Sequence, residues 1–165
     1  MNQKIYLGLG SNLGNRARNI EAALAEIERP GLHVLRRSRL YESEPVGFRE
    51  QGWFLNMVAE CETTLFPLQV LEHVKRVERK LGRIRTVPNG PRRIDIDILL
   101  WGNMTMRTGV LEIPHPRYRE RRFALAPLAE LSPFQRDPVT KETMFEMLQA
   151  LRGQIVRPIE PGPAE

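Results

Sequence analysis

The run Ile94-Asp-Ile-Asp-Ile98 alternates apolar and acidic residues, and Leu100 continues its apolar positions. No other feature of this sequence limits the backbone as much. A period of two predicts a strand whose side chains alternate faces. Asp95 and Asp97 then project from the same face. Two carboxylates side by side repel unless a cation lies between them, and burying them unpaired is costly. Arg92 and Arg93 stand just upstream. A divalent metal and a phosphate together account for acids and guanidiniums in one short stretch. A solvated strand edge with local Asp–Arg pairs accounts equally well for the Asp-x-Asp pattern alone, which is short and common.

The 165 residues suit one domain with a real core. No apolar run approaches the roughly 20 residues of a membrane span. The opening Met1-Asn-Gln-Lys-Ile-Tyr-Leu7 is too poor in apolar residues for a signal peptide. Cys61, the only cysteine, sits in an apolar run and reads as a core residue. A reducing, cytoplasmic compartment is expected. Charge is uneven. Lys75 to Arg93 holds eight Lys/Arg against the single acid Glu78, a net +7, which leaves −2 for the rest of a chain whose total is +5. A second cluster, Arg117, Arg119, Arg121 and Arg122, surrounds Glu120. Concentrated positive charge implies an anionic partner, either nucleic acid or nucleotide phosphate.

Patterning predicts the order β-α-β-β-α-β followed by a C-terminal extension. The first strand covers Ile5 to Leu9, and helical spacing covers about 15–29. Strands follow at Leu32 to Tyr41 and Trp53 to Thr63, the latter with one apolar face. Pro67 opens a second helix with an expected core stripe of Leu68, Leu71, Val74 and Leu81, and Gly82 caps it. The acidic strand runs to Trp101, and helical stretches lie near 123–131 and 142–152. This is the α+β, ferredoxin-like, split β-α-β pattern, with helices packed on one face of a mostly antiparallel sheet. The other face is expected to be open and able to carry a site. One domain spans 1–157, and the tail 158–165 is expected to be disordered. On the open face Phe54 and Asn56 point together, an aromatic and a carboxamide that suit a planar heterocycle.

Five stretches in order carry a family resemblance: Gly10-Ser-Asn-Leu-Gly14, Tyr41-Glu-Ser-Glu-Pro-Val-Gly47, Phe54-Leu-Asn56, Gly90-Pro-Arg-Arg-Ile-Asp-Ile-Asp-Ile-Leu-Leu100, and Ile113-Pro-His-Pro-Arg117 through Glu120-Arg-Arg-Phe123. The chain resembles the 6-hydroxymethyl-7,8-dihydropterin pyrophosphokinases of folate biosynthesis. The resemblance implies transfer of diphosphate from ATP to the hydroxymethyl group of the pterin, giving AMP. It implies that Asp95 and Asp97 hold two magnesium ions. It places Arg83 and Arg85 on a catalytic loop, with Arg83 and Arg92 acting in the chemistry. ATP contacts fall to Glu78, Arg85, Arg92, Ile98, His115 and Arg121. The pterin falls to Phe54 and Phe123 as a sandwich, to Asn56 as the reader of its edge, and to Ser43 and Val46 as pocket lining. Other folate-pathway enzymes are implied partners.

The chain departs from some members of that family at Asn89, Val110, Glu112 and Pro116, and its 85–92 loop is slightly short. These departures bear on adenine binding and loop sealing, with weaker ATP binding or altered loop kinetics as the expected consequence. The glycines at 8, 10 and 14 are not a Walker motif, because no Gly-Lys-Ser/Thr follows. An RNA-binding module shares the topology and suits a basic chain. Its strands need exposed aromatics where this chain has Asp95 and Asp97, so neither nucleic acid nor membrane is an expected partner. A pterin-binding paralogue without catalysis and a two-metal nucleotidyl transferase are the remaining alternatives.

Overall fold

The computed structural model describes residues 2–48, 50–82 and 90–159. Its elements in chain order are β1 (Gln3–Ser11), α1 (Arg16–Ile27), β2 (Leu32–Arg37), β3 (Tyr41–Ser43), β4 (Phe54–Thr63), α2 (Pro67–Lys80), β5 (Asp95–Trp101), β6 (Met106–Arg107) and β7 (Glu112–Ile113). A 3-10 turn (Tyr118–Glu120) leads to α3 (Arg122–Leu131), α4 (Met144–Ala150) and β8 (Val156–Pro158). The main sheet runs β5-β1-β4-β3-β8, with β2 also on β4. Every pairing in it is antiparallel. The expected ferredoxin-like α+β architecture is present.

The strand expected from Leu32 to Tyr41 is broken in two. β2 pairs the far end of β4 and β3 pairs its start. Ser38 sits in the break. Its N–H donates to the Val58 carbonyl at 2.9 Å, and its hydroxyl accepts the Val58 N–H at 3.0 Å. A side chain thus replaces one rung of the ladder and lets the chain bend.

Two cores share this sheet. On one face α1 and α2 close over Ile5, Leu7, Leu9, Met57 and Cys61. Asn15 caps α1 by accepting the Arg18 N–H at 3.1 Å. The α2 stripe differs from expectation. Leu68 is 49% exposed, and Val70, Val74, Val77 and Glu78 are the buried positions. Val74 is common to both sets, and Leu71 and Leu81 pack partly buried against the same core, so the stripe is turned toward Val70 and Val77 and Leu68 faces solvent.

The opposite face is not simply open. Tyr6, Val58, Leu99 and Leu100 pack there against Tyr118, Leu125, Leu128 and Met144. The reason lies in β4, whose residues 54–61 are nearly all buried, as a strand covered on both sides requires. Along β1 that face carries Tyr6, then Gly8, then Gly10. Bulk gives way to bare backbone, and a cleft opens where the side chains stop. Glu60 ties the covered end together. It accepts from Tyr6 at 3.2 Å and from Arg36 at 2.6 Å, and Ser132 bonds Tyr6 at 2.7 Å. At the far edge, Pro158 and Ile159, assigned to the tail from sequence, are held in the sheet. Residues 160–165 lie outside the described part.

Candidate active site

The cleft spans about 750 Å³ including its open mouth, a size that suits a small ligand. Its floor is the bare stretch of β1. Gly10 stands opposite Asn56 in the β1–β4 register. A Cβ at residue 10 would lie 2.8 Å from the Asn56 amide oxygen, so only glycine fits without movement. The Asn56 nitrogen donates to the Ser43 hydroxyl at 2.6 Å, and both side chains are buried. Phe54 and Phe123 line the same cleft, and Val46 stands half-exposed at its rim.

Asp95 and Asp97 reach the cleft from β5, while Ile96 and Ile98 on the alternate face enter the first core. Three basic groups stand near the acids at long range. The Arg92 guanidinium is 3.7 Å from Asp95, Arg121 is 3.9 Å from Asp97, and His115 Nε2 is 4.0 Å from Asp97. Desolvation, and then the charge of Asp95, push the Asp97 carboxyl above the usual carboxylate range despite the Arg121 and Arg92 guanidiniums. Burial, and then the Arg121 charge, lower His115 to about 4, so it is neutral at pH 7. Its Nδ1 accepts the Arg117 N–H at 3.1 Å, which puts the ring proton on Nε2, toward Asp97.

The arginines link the acidic and aromatic halves of the cleft. Arg92 lies 5.1 Å above the Phe54 ring, and Arg121 lies 5.5 Å from the Phe123 ring. Arg92 is held through its backbone by Asn12. Its N–H donates to the Asn12 amide oxygen at 2.9 Å, and its carbonyl accepts the Asn12 N–H at 3.1 Å. The Asn12 amide nitrogen also donates to Gln51 at 2.7 Å and to the Gly52 carbonyl at 3.0 Å. Sequence reasoning missed Asn12, although it lies inside the Gly10–Gly14 stretch. Glu78 is placed differently from a nucleotide contact. It is 4% exposed, and its Oε2 accepts the Ile96 N–H at 2.9 Å between the two aspartates. The Ile98 side chain is in the first core, leaving its main chain as what it can offer a ligand. Arg83, Arg85 and Asn89 lie outside the described residues.

Among the described residues no cluster of three or more His, Cys, Asp or Glu could enclose a metal. Two carboxylates on one strand face still fit magnesium, which is commonly held by one or two carboxylates, with substrate phosphates and waters completing its shell.

Residues 6–133 match the profile of the 7,8-dihydro-6-hydroxymethylpterin-pyrophosphokinase family. The chain belongs to this family. It is 44% identical over 132 residues to the 2-amino-4-hydroxy-6-hydroxymethyldihydropteridine pyrophosphokinase of Bacillus subtilis, covering 79% of each chain. It is 38% identical over 160 residues to the folic acid synthesis protein fol1 of Pneumocystis carinii, covering 97% of this chain and 22% of that one. The chain thus spans about a fifth of that longer relative. Among solved structures, a Plasmodium falciparum HPPK-DHPS with pterin and p-hydroxybenzoate superposes with a TM-score of 0.74 at 17% identity, over 90% of this chain and 44% of that one. At that identity the likeness speaks for the fold.

Proposed function

We propose that this chain transfers diphosphate from ATP to the hydroxymethyl group of 6-hydroxymethyl-7,8-dihydropterin, giving AMP and the pterin diphosphate in folate biosynthesis. The observation that carries the reading is convergence. The acids Asp95 and Asp97 and the aromatic–amide set Phe54, Asn56 and Phe123 line a single cleft. Family membership and the name of the Bacillus subtilis relative support the same activity.

The pterin ring stacks between Phe54 and Phe123, and the Asn56 amide reads its pyrimidine edge with a donor and an acceptor. Ser43 orients that amide through the 2.6 Å bond, and Val46 closes the rim. Asp95 and Asp97 would hold two magnesium ions, which would offset the charge of the phosphates and make the attacking hydroxyl more acidic. Arg92 and Arg121 flank the acids and present guanidiniums to the triphosphate. Neutral His115 offers its Nε2 proton to a phosphate oxygen without adding charge. By family resemblance Arg83 and Arg85 supply further positive charge to the triphosphate, Ile98 offers its main chain, and Glu78 supports the acids from behind through the Ile96 N–H. A cytoplasmic setting with other folate-pathway enzymes as partners fits this role. No helix among the described residues is long and apolar enough to cross a membrane.

The test is to mix the protein with ATP, magnesium and 6-hydroxymethyl-7,8-dihydropterin and to quantify the nucleotide product. Stoichiometric AMP and pterin diphosphate are expected. ADP would mean ordinary γ-phosphoryl transfer. Pterin binding without nucleotide turnover would leave a non-catalytic binding protein.

A further inference from the structure

The residues from Gly153 onward lie past the family match, which ends at residue 133, yet they reach the cleft. Gly153 has φ of 113°, a conformation that favours glycine, and it turns the chain out of the segment after α4. Gln154 then joins the cleft lining. Its amide oxygen accepts the Phe123 N–H at 3.3 Å, and its amide nitrogen donates to the Glu44 carbonyl at 2.6 Å. Phe123 is the second residue of α3, where backbone N–H groups have no acceptor within the helix. One end of the amide can only accept and the other only donate, so these two partners fix its orientation.

The next residues repeat the tie. The Ile155 N–H donates to the Glu44 carboxylate at 2.9 Å, and the Ile155 carbonyl accepts the Glu44 N–H at 3.2 Å. Val156, Arg157 and Pro158 then pair with Ser43, Glu42 and Tyr41. Gln154 therefore spans two lips of the cleft. One carries the Phe123 ring, and the other carries Ser43, which bonds Asn56. A flat ring sandwiched between two aromatic faces needs them about 7 Å apart, so the position of Phe123 relative to the Asn56 edge decides the fit.

We propose that Gln154 is a positioning residue for the heterocycle: it sets the separation between the Phe123 ring and the Ser43–Asn56 edge. The proposal rests on the pterin reading of the cleft. Its test uses the full chain with Gln154→Ala and Gln154→Glu. The second variant keeps an acceptor for the Phe123 N–H and sets a carboxylate against the Glu44 carbonyl. Pterin-analogue titration, KM for pterin and ATP, and thermal melting are measured side by side. Loss of two partly exposed hydrogen bonds weakens pterin binding about five- to tenfold, with Gln154→Glu at least as affected as Gln154→Ala. ATP KM and melting temperature stay near wild type. Unchanged pterin affinity in both variants, with a wild type that binds, overturns the positioning role alone. A parallel fall in pterin affinity, ATP affinity and melting temperature also overturns it, in favour of a purely structural tie. A wild type that does not bind the pterin overturns the reading of the cleft, and this role with it.

Discussion

Replacing Gly10 by alanine places one methyl group where the structure has none to spare. The added Cβ would sit 2.8 Å from Asn56 Oδ1 and 3.7 Å from both the Leu55 carbonyl and Phe54. A carbon and a carbonyl oxygen settle at about 3.3–3.6 Å, so the overlap is roughly 0.5 Å or more. Gly10 and Asn56 are paired residues of neighbouring strands, so the backbones cannot part without loss of ladder bonds. The easier relief is for Asn56 to turn, which strains its 2.6 Å bond to Ser43. Overpacking of this kind costs about 1–3 kcal/mol of stability. A turned amide also forfeits about two hydrogen bonds to the pterin edge, about 2 kcal/mol in sum, or about thirtyfold in affinity. Pterin-analogue fluorescence titration, ATP titration and thermal melting of Gly10→Ala measure the three quantities. Gly8→Ala is the control. Its Cβ meets first the tip of the Leu99 side chain, at 3.3 Å, which can swing away. Its cost is expected below about 1 kcal/mol. If Gly10→Ala binds pterin like wild type, the glycine–amide contact does not govern recognition and the reasoning fails.

Further outcomes follow from other parts of the molecule. Asp97→Asn is expected to cut AMP release by about a thousandfold or more. Because desolvation and the Asp95 charge both work against a charged Asp97, the neutral variant should melt at or above the wild-type temperature, and a clear drop would refute that. Glu78→Ala leaves the Ile96 N–H without the acceptor it has in the structure, at a cost of about 1–3 kcal/mol in urea unfolding. Asp137 accepts from Arg119 at 2.6 Å, from the Val139 N–H at 2.7 Å and from the Tyr118 hydroxyl. Burial alone would raise its carboxyl, but these bonds hold it down at about 2. Its stabilisation is therefore complete above about pH 4, the ordinary carboxyl range, and lost as pH falls toward 2. The urea midpoint should drop across that window, and Asp137→Asn should flatten the drop while costing about 3 kcal/mol at neutral pH.

Much of this was legible in the sequence, for a physical reason. Asp95, Asp97, Phe54 and Asn56 announce themselves by period two, and a strand fixes side-chain direction over a few residues. Helix and strand order followed from the same periodicities. What failed depended on partners far along the chain. Leu68 fits a helical stripe as well as Val70 and Val77 do, and only the shape of the sheet decides between them. Ser38 breaks a strand through one side-chain bond that hydropathy does not register. The burial of β4 on both faces was masked by Asn56 and Glu60, polar residues on the second face that fit the alternation of a half-exposed strand. Asn12, Gly10 and Gln154 act through register and long-range contact, and a local pattern carries neither.

The sheet edge beside the cleft also sets an order of assembly. Arg157 of β8 is made 115 residues after its ion-pair partner Glu42 in β3. Chains grow at about 5–20 residues per second, so β3 waits on the order of ten seconds for its outer neighbour. An unpaired edge in a growing chain invites pairing with another chain. Here the waiting strand is three residues long, with a charged residue at its centre. It is too short a template for a foreign strand, yet long enough to receive β8 when it arrives. The rung that completes this edge of the cleft therefore joins only after α3 and α4 have been made.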